Sequence, residues 1–197
     1  MNHQYFDNNE NLESNPQKIT FFVKGVTLEL TTDNGVFSKN GVDFGSRTLI
    51  KWFKPENKKT ILDVGCGYGP IGLSIANIYP DTFVDMIDVN PRAIRLATLN
   101  RDENNIKNAE IFASNVYENI TKKYDIIVSN PPIRAGKDVV RSITLGAIED
   151  LNEGGEMWCV VQKKQGAPSL LKAISEVYAS SGVIAIANEY YVIVGKK

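Results

Sequence analysis

The sequence predicts an α/β fold: one mostly parallel sheet with helices on both faces and a small hairpin ahead of it. Three observations lead there. From Thr60 onward, short apolar runs alternate with segments of helical spacing, the order that a parallel sheet with crossover helices requires. A glycine-rich turn, Gly65-Cys66-Gly67-Tyr68-Gly69, joins the first run to the first of these helices, as at the start of a nucleotide-binding unit. The last two runs, near 182–187 and 190–195, are too close for a helical crossover and should pair as an antiparallel hairpin.

The elements follow in order. Residues 1–18 are polar and asparagine-rich and read as a flexible lead-in. The single histidine, His3, falls there, which leaves little material for a Ser-His-Asp triad or a histidine proton shuttle. Residues 19–197 read as one domain, of which 19–45 form a hairpin and a loop. Runs 19–24 and 26–31 alternate around Gly25. In the polar loop that follows, Phe37-Ser38 either lean over a ligand or plug the core, and 46–53 reads as a helix. Strands are then expected near 60–64, 83–88, 109–113, 124–129 and 155–162, ahead of the closing pair. Helices are expected near 70–79, 91–104, 138–151 and 167–180. Pro70 and Pro91 suit a first helical turn, where a missing N–H costs nothing, and Asn90 suits the cap before it.

The glycine loop narrows the ligand. G-x-G-x-x-G would place its third glycine where Pro70 stands, and no G-x-x-x-x-G-K-[ST] is present, so neither a dinucleotide fingerprint nor a P-loop fits. Glycines at 65, 67 and 69 remove side chains where a ligand must approach the backbone. Asp63 precedes them. A carboxylate there repels a pyrophosphate but suits a ligand carrying an ammonium and a sulfonium, which describes S-adenosylmethionine. Asp88 ends the next strand, near the ~20-residue offset at which an acid accepts from ribose hydroxyls. The bland alternative is that Asp63 and Asp88 only cap loops. Ser114-Asn115-Val116 follow the third strand; the Asn115 carboxamide can meet an adenine edge, or can simply make an Asx turn.

Asn130-Pro131-Pro132-Ile133 stand at the carboxyl end of the run 124–129. Two prolines fix the backbone and remove two donors. The Asn130 side-chain oxygen and the Pro131 carbonyl can then both act as acceptors for an exocyclic NH2. Such a nitrogen is a poor nucleophile because its lone pair is delocalised. Holding its hydrogens pyramidalises it and aims the lone pair, which is catalysis by orientation and electrostatic placement. A carboxamide takes no proton near neutral pH, so Asn130 is not a general base. A rigid proline turn is the rival reading.

Composition bounds the rest. The 197 residues, 43% hydrophobic and 23% charged, suit one domain with a sizeable core. No run of about 18 apolar residues or signal-peptide core is visible, so cytoplasm is the default expectation. Cys66 and Cys159 lie far apart without a C-x-x-C, so no metal site is expected and both read as small buried residues. A net charge of −1 excludes a broadly basic nucleic-acid binder. Charge placement still counts: Arg134, Lys137 and Arg141 follow the proline clamp, Lys163-Lys164 follow the run 155–162, and Arg47 and Lys39 can join them. They read either as phosphate contacts or as solvated loop charge.

Together these residues resemble the class I S-adenosylmethionine-dependent methyltransferases, and within them the methyltransferase small domain family, which includes bacterial small-subunit rRNA guanine-N2 methyltransferases. The resemblance covers nearly the whole chain. It rests on Gly35-Val36-Phe37-Ser38, Val42-Asp43-Phe44-Gly45-Ser46, Leu62 through Gly72, Ser114-Asn115-Val116 and Asn130 through Lys137, with Gln162 through Ala167 similar to the stand-alone bacterial branch. It implies a Rossmann-like seven-stranded sheet in the order 3-2-1-4-5-7-6 with strand 7 antiparallel. It implies that Asp63, Gly65 and Gly67 line the methionine end with Cys66, that Asp88 holds the ribose, and that Asn115 and Val116 lie near the adenine. Asn130 and Pro131 would hold the target amine, with Asn130 also touching the cofactor. Pro132, Ile133, Arg134, Lys137 and Lys163 would face the substrate. Many amino-methyltransferases place an aromatic after Asn-Pro-Pro to stack on the target ring; here Ile133 offers apolar contact and no π face. Two-domain rRNA members carry a second, degenerate copy of the fold for RNA binding; this chain is expected to be too short for one, which leaves a different RNA target or a need for a partner.

The expected activity is methyl transfer to the exocyclic amine of guanine in rRNA, with free rRNA or the ribosomal subunit as partner and a monomer as the default state. Two alternatives stand beside it: methylation of a protein glutamine, whose amide also presents NH2, and a cofactor-binding module that docks without catalysis. The intact Asn130 speaks against the second.

Overall fold

The computed structural model describes residues 12–197; His3 and most of the expected lead-in lie outside that range. β1 (Gln17–Val23) and β2 (Val26–Thr32) form an antiparallel hairpin in full register from Gln17–Thr32 to Val23–Val26. Its two-residue turn, Lys24-Gly25, has positive φ at both positions (47° and 84°), the turn whose twist matches its strands. The loop after it leads into α1 (Phe44–Trp52). β3 (Thr60–Val64), α2 (Pro70–Ile78), β4 (Phe83–Asp88), α3 (Pro91–Glu103), β5 (Ala109–Ala113) and β6 (Tyr124–Ser129) alternate as expected. After a single 3-10 turn (Ile133–Ala135) come α4 (Lys137–Thr144), α5 (Ala147–Asp150) and β7 (Leu151–Gln162). A second 3-10 turn (Lys163–Gln165), α6 (Ala167–Val177), β8 (Ser180–Ala187) and β9 (Tyr190–Lys196) complete the chain.

The seven strands run in the order β5-β4-β3-β6-β7-β9-β8, with β9 antiparallel to both neighbours. Counted from β3, this is the 3-2-1-4-5-7-6 order of a Rossmann-like methyltransferase sheet. The chain builds outward from β3 to β5, then returns to place β6 on the other side of β3. That reversal opens a crevice at the carboxyl ends of β3 and β6, the place where open α/β sheets bind ligands.

Side-chain alternation divides the core. Ile61, Ile126 and Val128 face one cluster with Leu49, Phe53 and Leu73, which the hairpin extends through Phe21, Leu28 and Leu30. Leu62, Val64 and Ile127 face the other, with Ile143, Leu170 and Ile174. Among the described residues no helix is long and apolar enough to cross a membrane.

One expected element is wrong. Residues 138–151 do not form one helix: α4 stops at Thr144, α5 is a short separate turn, and β7 begins at Leu151. Two phenols from elsewhere end α4. The Tyr117 hydroxyl donates to the Ile143 carbonyl at 2.5 Å and the Tyr178 hydroxyl to the Thr144 carbonyl at 2.6 Å. These carbonyls are thereby satisfied without a further helical turn. A Cβ on Gly146 would also run into the Ser142 carbonyl, so glycine fits the break.

Candidate active site

Four loops converge at the carboxyl edge of the sheet around a cavity of about 320 Å³. The first is the glycine loop. Gly65 and Gly67 take left-handed φ of 73° and 57°, and a Cβ at either would meet no atom within 4 Å. The backbone there faces open space that a ligand can enter. Gly69 differs: its Cβ would lie 2.7 Å from Leu73 Cδ1, so packing onto α2, not ligand approach, requires glycine there. The loop is pinned to the end of β4, where the Gly65 and Cys66 amides both donate to the Ile87 carbonyl at 2.9 Å. Cys66 lines the cavity, but burial and then the carboxylates of Asp88 and Asp63 push its thiol far up, so it is no nucleophile. Cys159 is buried in β7, its thiol pushed up by burial to about 12.

Asp63 is not on the cavity wall. It lies beneath the loop, 1% exposed, with Oδ2 accepting from the Gly72 amide at 2.8 Å and Oδ1 without a hydrogen-bond partner. Burial, helped by the nearby Asp88 charge, pushes its carboxyl up to about 7 against the opposing Gly72 hydrogen bond. Asp88 is on the wall at the end of β4. Its Oδ2 accepts from the Gly67 amide at 2.8 Å and its Oδ1 from the Asn90 amide at 2.9 Å. Burial raises its pKa while those amides oppose the rise. Each carboxylate oxygen keeps a further lone pair for a ligand hydroxyl.

The third loop brings Ser114, Asn115 and Val116 to the cavity. The Asn115 side-chain NH2 donates to Glu118 Oε1 at 2.8 Å, so one of its two donors already serves a local turn. Val116 holds φ of 49°, a strained conformation for a β-branched residue, with its carbonyl accepting from the Ser114 hydroxyl at 2.8 Å.

The fourth loop is Asn130-Pro131-Pro132. The Asn130 NH2 donates to Asp43 Oδ1 and to Ser46 Oγ, both at 3.1 Å. With both donors engaged, the side-chain oxygen is left as the group that can accept. The 3-10 turn takes the Pro132 carbonyl, which accepts from the Ala135 amide at 2.9 Å, and leaves the Pro131 carbonyl outside it. Asp43 also caps α1, its Oδ1 accepting from the Ser46 amide at 3.1 Å. One carboxylate therefore fixes both the helix start and the Asn130 orientation. The sequence reading missed this role for Asp43 and Ser46. An Asp three residues before Ser46 signals a helix cap, but nothing local ties it to a residue 87 positions away.

Phe37 and Ser38 lean over the cavity, and Phe37, 41% exposed, is no core plug. Their loop is fastened to α3: Asn90 Nδ2 donates to the Gly35 carbonyl at 3.0 Å, and Arg92 Nη1 to the Asn34 carbonyl at 2.7 Å. Asn100, fully buried, donates to the carbonyls of Thr31 and Tyr68 at 3.0 and 2.8 Å, joining the hairpin to the glycine loop.

A second depression of about 340 Å³ adjoins the first, sharing Phe37, Asn130 and Pro131 and adding Ile133, Arg134, Gln165 and Tyr190. Arg134 thus lines it, whereas Lys137 and Lys163 do not and are exposed at the starts of α4 and the second 3-10 turn. Pro132 lines the first cavity only. Lys39 and Arg47 do not join this group. Lys39 Nζ donates to Asn34 Oδ1 at 2.7 Å, and Arg47 donates to the Val42 carbonyl at 2.7 Å with its guanidinium 4.9 Å from the Phe21 ring centroid. Two cavities meeting at one acceptor pair suit group transfer, with donor on one side and amine on the other.

The family model of the methyltransferase small domain matches residues 27–194. The chain is 44% identical over 200 residues to the "Uncharacterized protein YbxB" of Bacillus subtilis, covering all of both. It is 35% identical over 161 residues to the "Ribosomal RNA small subunit methyltransferase C" of Erwinia tasmaniensis, covering 80% of this chain and 46% of that protein. It thus spans about half the length of that curated relative. Among solved structures, a T. thermophilus 16S rRNA N2 methyltransferase (RsmC) with AdoMet and guanosine superposes with a TM-score of 0.81 at 24% identity, covering 94% of this chain and 52% of that one. A ribosomal protein L11 methylase from Lactobacillus delbrueckii shares the fold with a TM-score of 0.62 at 18% identity, covering 77% of this chain and 76% of that one.

Proposed function

This chain belongs to the methyltransferase small domain family, and on that premise we propose that it methylates the exocyclic amine of guanine in ribosomal RNA, using S-adenosylmethionine. The observation that carries the reading is the Asn130 carboxamide, turned by Asp43 and Ser46 so that its oxygen is the free acceptor between two adjoining cavities. The residues present fit the cofactor: open backbone at Gly65 and Gly67 admits it, Asp88 can accept from ribose hydroxyls, and Asn115 and Val116 line the same cavity. The cofactor supplies an electrophilic methyl group on a sulfonium. The chain's own work is positional. Asn130 and Pro131 hold the two amine hydrogens and turn the nitrogen lone pair towards the first cavity. The proton leaves after transfer, when the nitrogen has become acidic.

Relatives named as ribosomal RNA methyltransferases support RNA over protein as substrate, as does the cationic Arg134 lining the second cavity. Mass spectrometry of rRNA nucleosides from cells with and without the gene tests the reading. Loss of one N2-methylguanosine is expected; unchanged nucleosides with loss of a methylated glutamine would transfer the function to a protein substrate.

Replacing Asp88→Ala should weaken cofactor binding by about 1–3 kcal/mol, through loss of charge-assisted bonds to the ribose. Because the Gly67 amide also loses its acceptor, loop order contributes to that loss. Calorimetry with S-adenosylmethionine and NAD checks both points: the parent should bind the first and not the second, and unchanged affinity in a folded Asp88→Ala protein would remove the ribose role.

Replacing Arg134, Lys137 and Lys163 together by Gln should flatten the salt dependence of RNA binding, because fewer counterions are released, and leave cofactor affinity unchanged. A salt-independent parent favours a protein substrate, and an unaltered slope in the triple variant favours a different RNA-binding face.

A further inference from the structure

Ile133 stands where a stacking ring is common, but the second cavity does not lack a ring. Tyr190, the first residue of β9, lines it beside Asn130 and Pro131. Three contacts fix that ring in advance. It packs on Phe44 at 5.5 Å between centroids and 47° between planes. It presses on Gly45, where a Cβ would lie 3.1 Å from both Tyr190 Cδ1 and Cε1, so glycine at the start of α1 makes room for it. The hairpin that carries it turns through Asn188 and Glu189, both at positive φ (44° and 63°), and the Glu189 carbonyl accepts from the Lys163 amide at 2.7 Å. That bond ties the hairpin tip to the turn that brings Gln165 to the same cavity.

We propose that Tyr190 is the face on which the target base lies, so that the second cavity selects a guanine ring over a side-chain amide. The chemistry around it matches one ligand. Tyr190 offers a π face and Ile133 an apolar cover. Asn130 and Pro131 accept from the amine carried by the same ring. A glutamine side chain has no ring to place on Tyr190. The inference rests on the methyltransferase reading and adds the residue that sorts its substrates.

Saturation-transfer NMR with S-adenosylhomocysteine present, using guanosine and a glycine-glutamine-glycine peptide as probes, tests it. The parent should show contact between Tyr190 ring protons and guanosine, and none with the peptide. Tyr190→Phe keeps the face and should keep guanosine affinity, whereas Tyr190→Leu should lose about 10–100-fold. A thermal melt reports whether the leucine variant folds; if it does not, the parent contact and the phenylalanine variant decide. Guanosine that fails to touch Tyr190, binds Tyr190→Leu equally well, or is displaced by the peptide overturns the proposal. Failure of S-adenosylhomocysteine to bind the parent would instead overturn the methyltransferase reading beneath it.

Discussion

Asn130→Ala is expected to cut single-turnover methyl transfer by about 10²–10³-fold, the worth of a comparably placed polar group in other active sites. Cofactor affinity should change little, because Asp88 and the glycine loop, the groups proposed to hold that ligand, line the cavity from other strands. The fold should survive. The α1 cap does not depend on Asn130, since the Ser46 amide bonds Asp43 directly, and losing the two amide contacts costs about 1 kcal/mol each. Asn130→Asp keeps the shape but loses both donors and places a carboxylate where the amide now lies 3.1 Å from Asp43 Oδ1. That pair of like charges should disable the site as thoroughly as alanine does. Adding Asp43→Asn restores a donor opposite the new acid and should recover part of the activity, an effect that a turn-stiffening residue would not produce. Methylation kinetics beside a thermal melt decide. Near-normal turnover in a folded Asn130→Ala protein takes the residue out of the mechanism.

The features legible in the sequence are those that local geometry enforces. Gly65 and Gly67 are legible because left-handed backbone at a strand–helix turn needs glycine, and Pro70 and Pro91 because a first helical turn tolerates a missing N–H. The sheet order followed from a resemblance spread along the chain, and the closing hairpin from a gap too short for a helix. What stayed hidden depends on contacts between distant segments. Asp43 reaches Asn130 only because α1 packs beside β7 and β9, next to β6. Tyr190 reaches the second cavity only because the β8–β9 hairpin ends beside the Asn-Pro-Pro turn. The break after α4 is made by Tyr117 and Tyr178, neither of which belongs to that helix. Spacing fixed Asp63 at the end of a strand but could not say on which side of the loop its side chain would lie. Its depth below the glycine loop has its own measurable consequence.

Asp63→Asn should make the ligand-free protein more stable at pH 8 while weakening its grip on a cationic cofactor. The Asp63 carboxyl is 1% exposed, has one oxygen with no hydrogen-bond partner, and is held at about 7, first by burial. The sign follows from linkage. A carboxyl with its folded-state value raised keeps a proton that the unfolded chain releases at about 4, so stability falls as pH rises from about 4 to about 7 and is level above. The full span corresponds to about 4 kcal/mol. Asp88, also raised by burial, adds to the same fall. Asp125 acts in the opposite sense at the acid end. Burial there is outweighed by the amides of Lys59 and Thr60 and by Asn152, which hold it at about 2 and give stability that is lost only below about pH 4. Asparagine at 63 keeps an oxygen for the Gly72 amide and never ionises, so the variant and the parent should melt together near pH 4 and diverge towards pH 8. A bound sulfonium and ammonium favour the ionised form of Asp63, so parent affinity for S-adenosylmethionine should rise with pH up to about 7 and level off. The variant should bind more weakly and with a flatter profile. Melts and calorimetry at matched pH values check both halves. Parallel melting curves across the range would show that Asp63 is ionised throughout, and an unchanged affinity profile would show that its charge does not reach the cofactor.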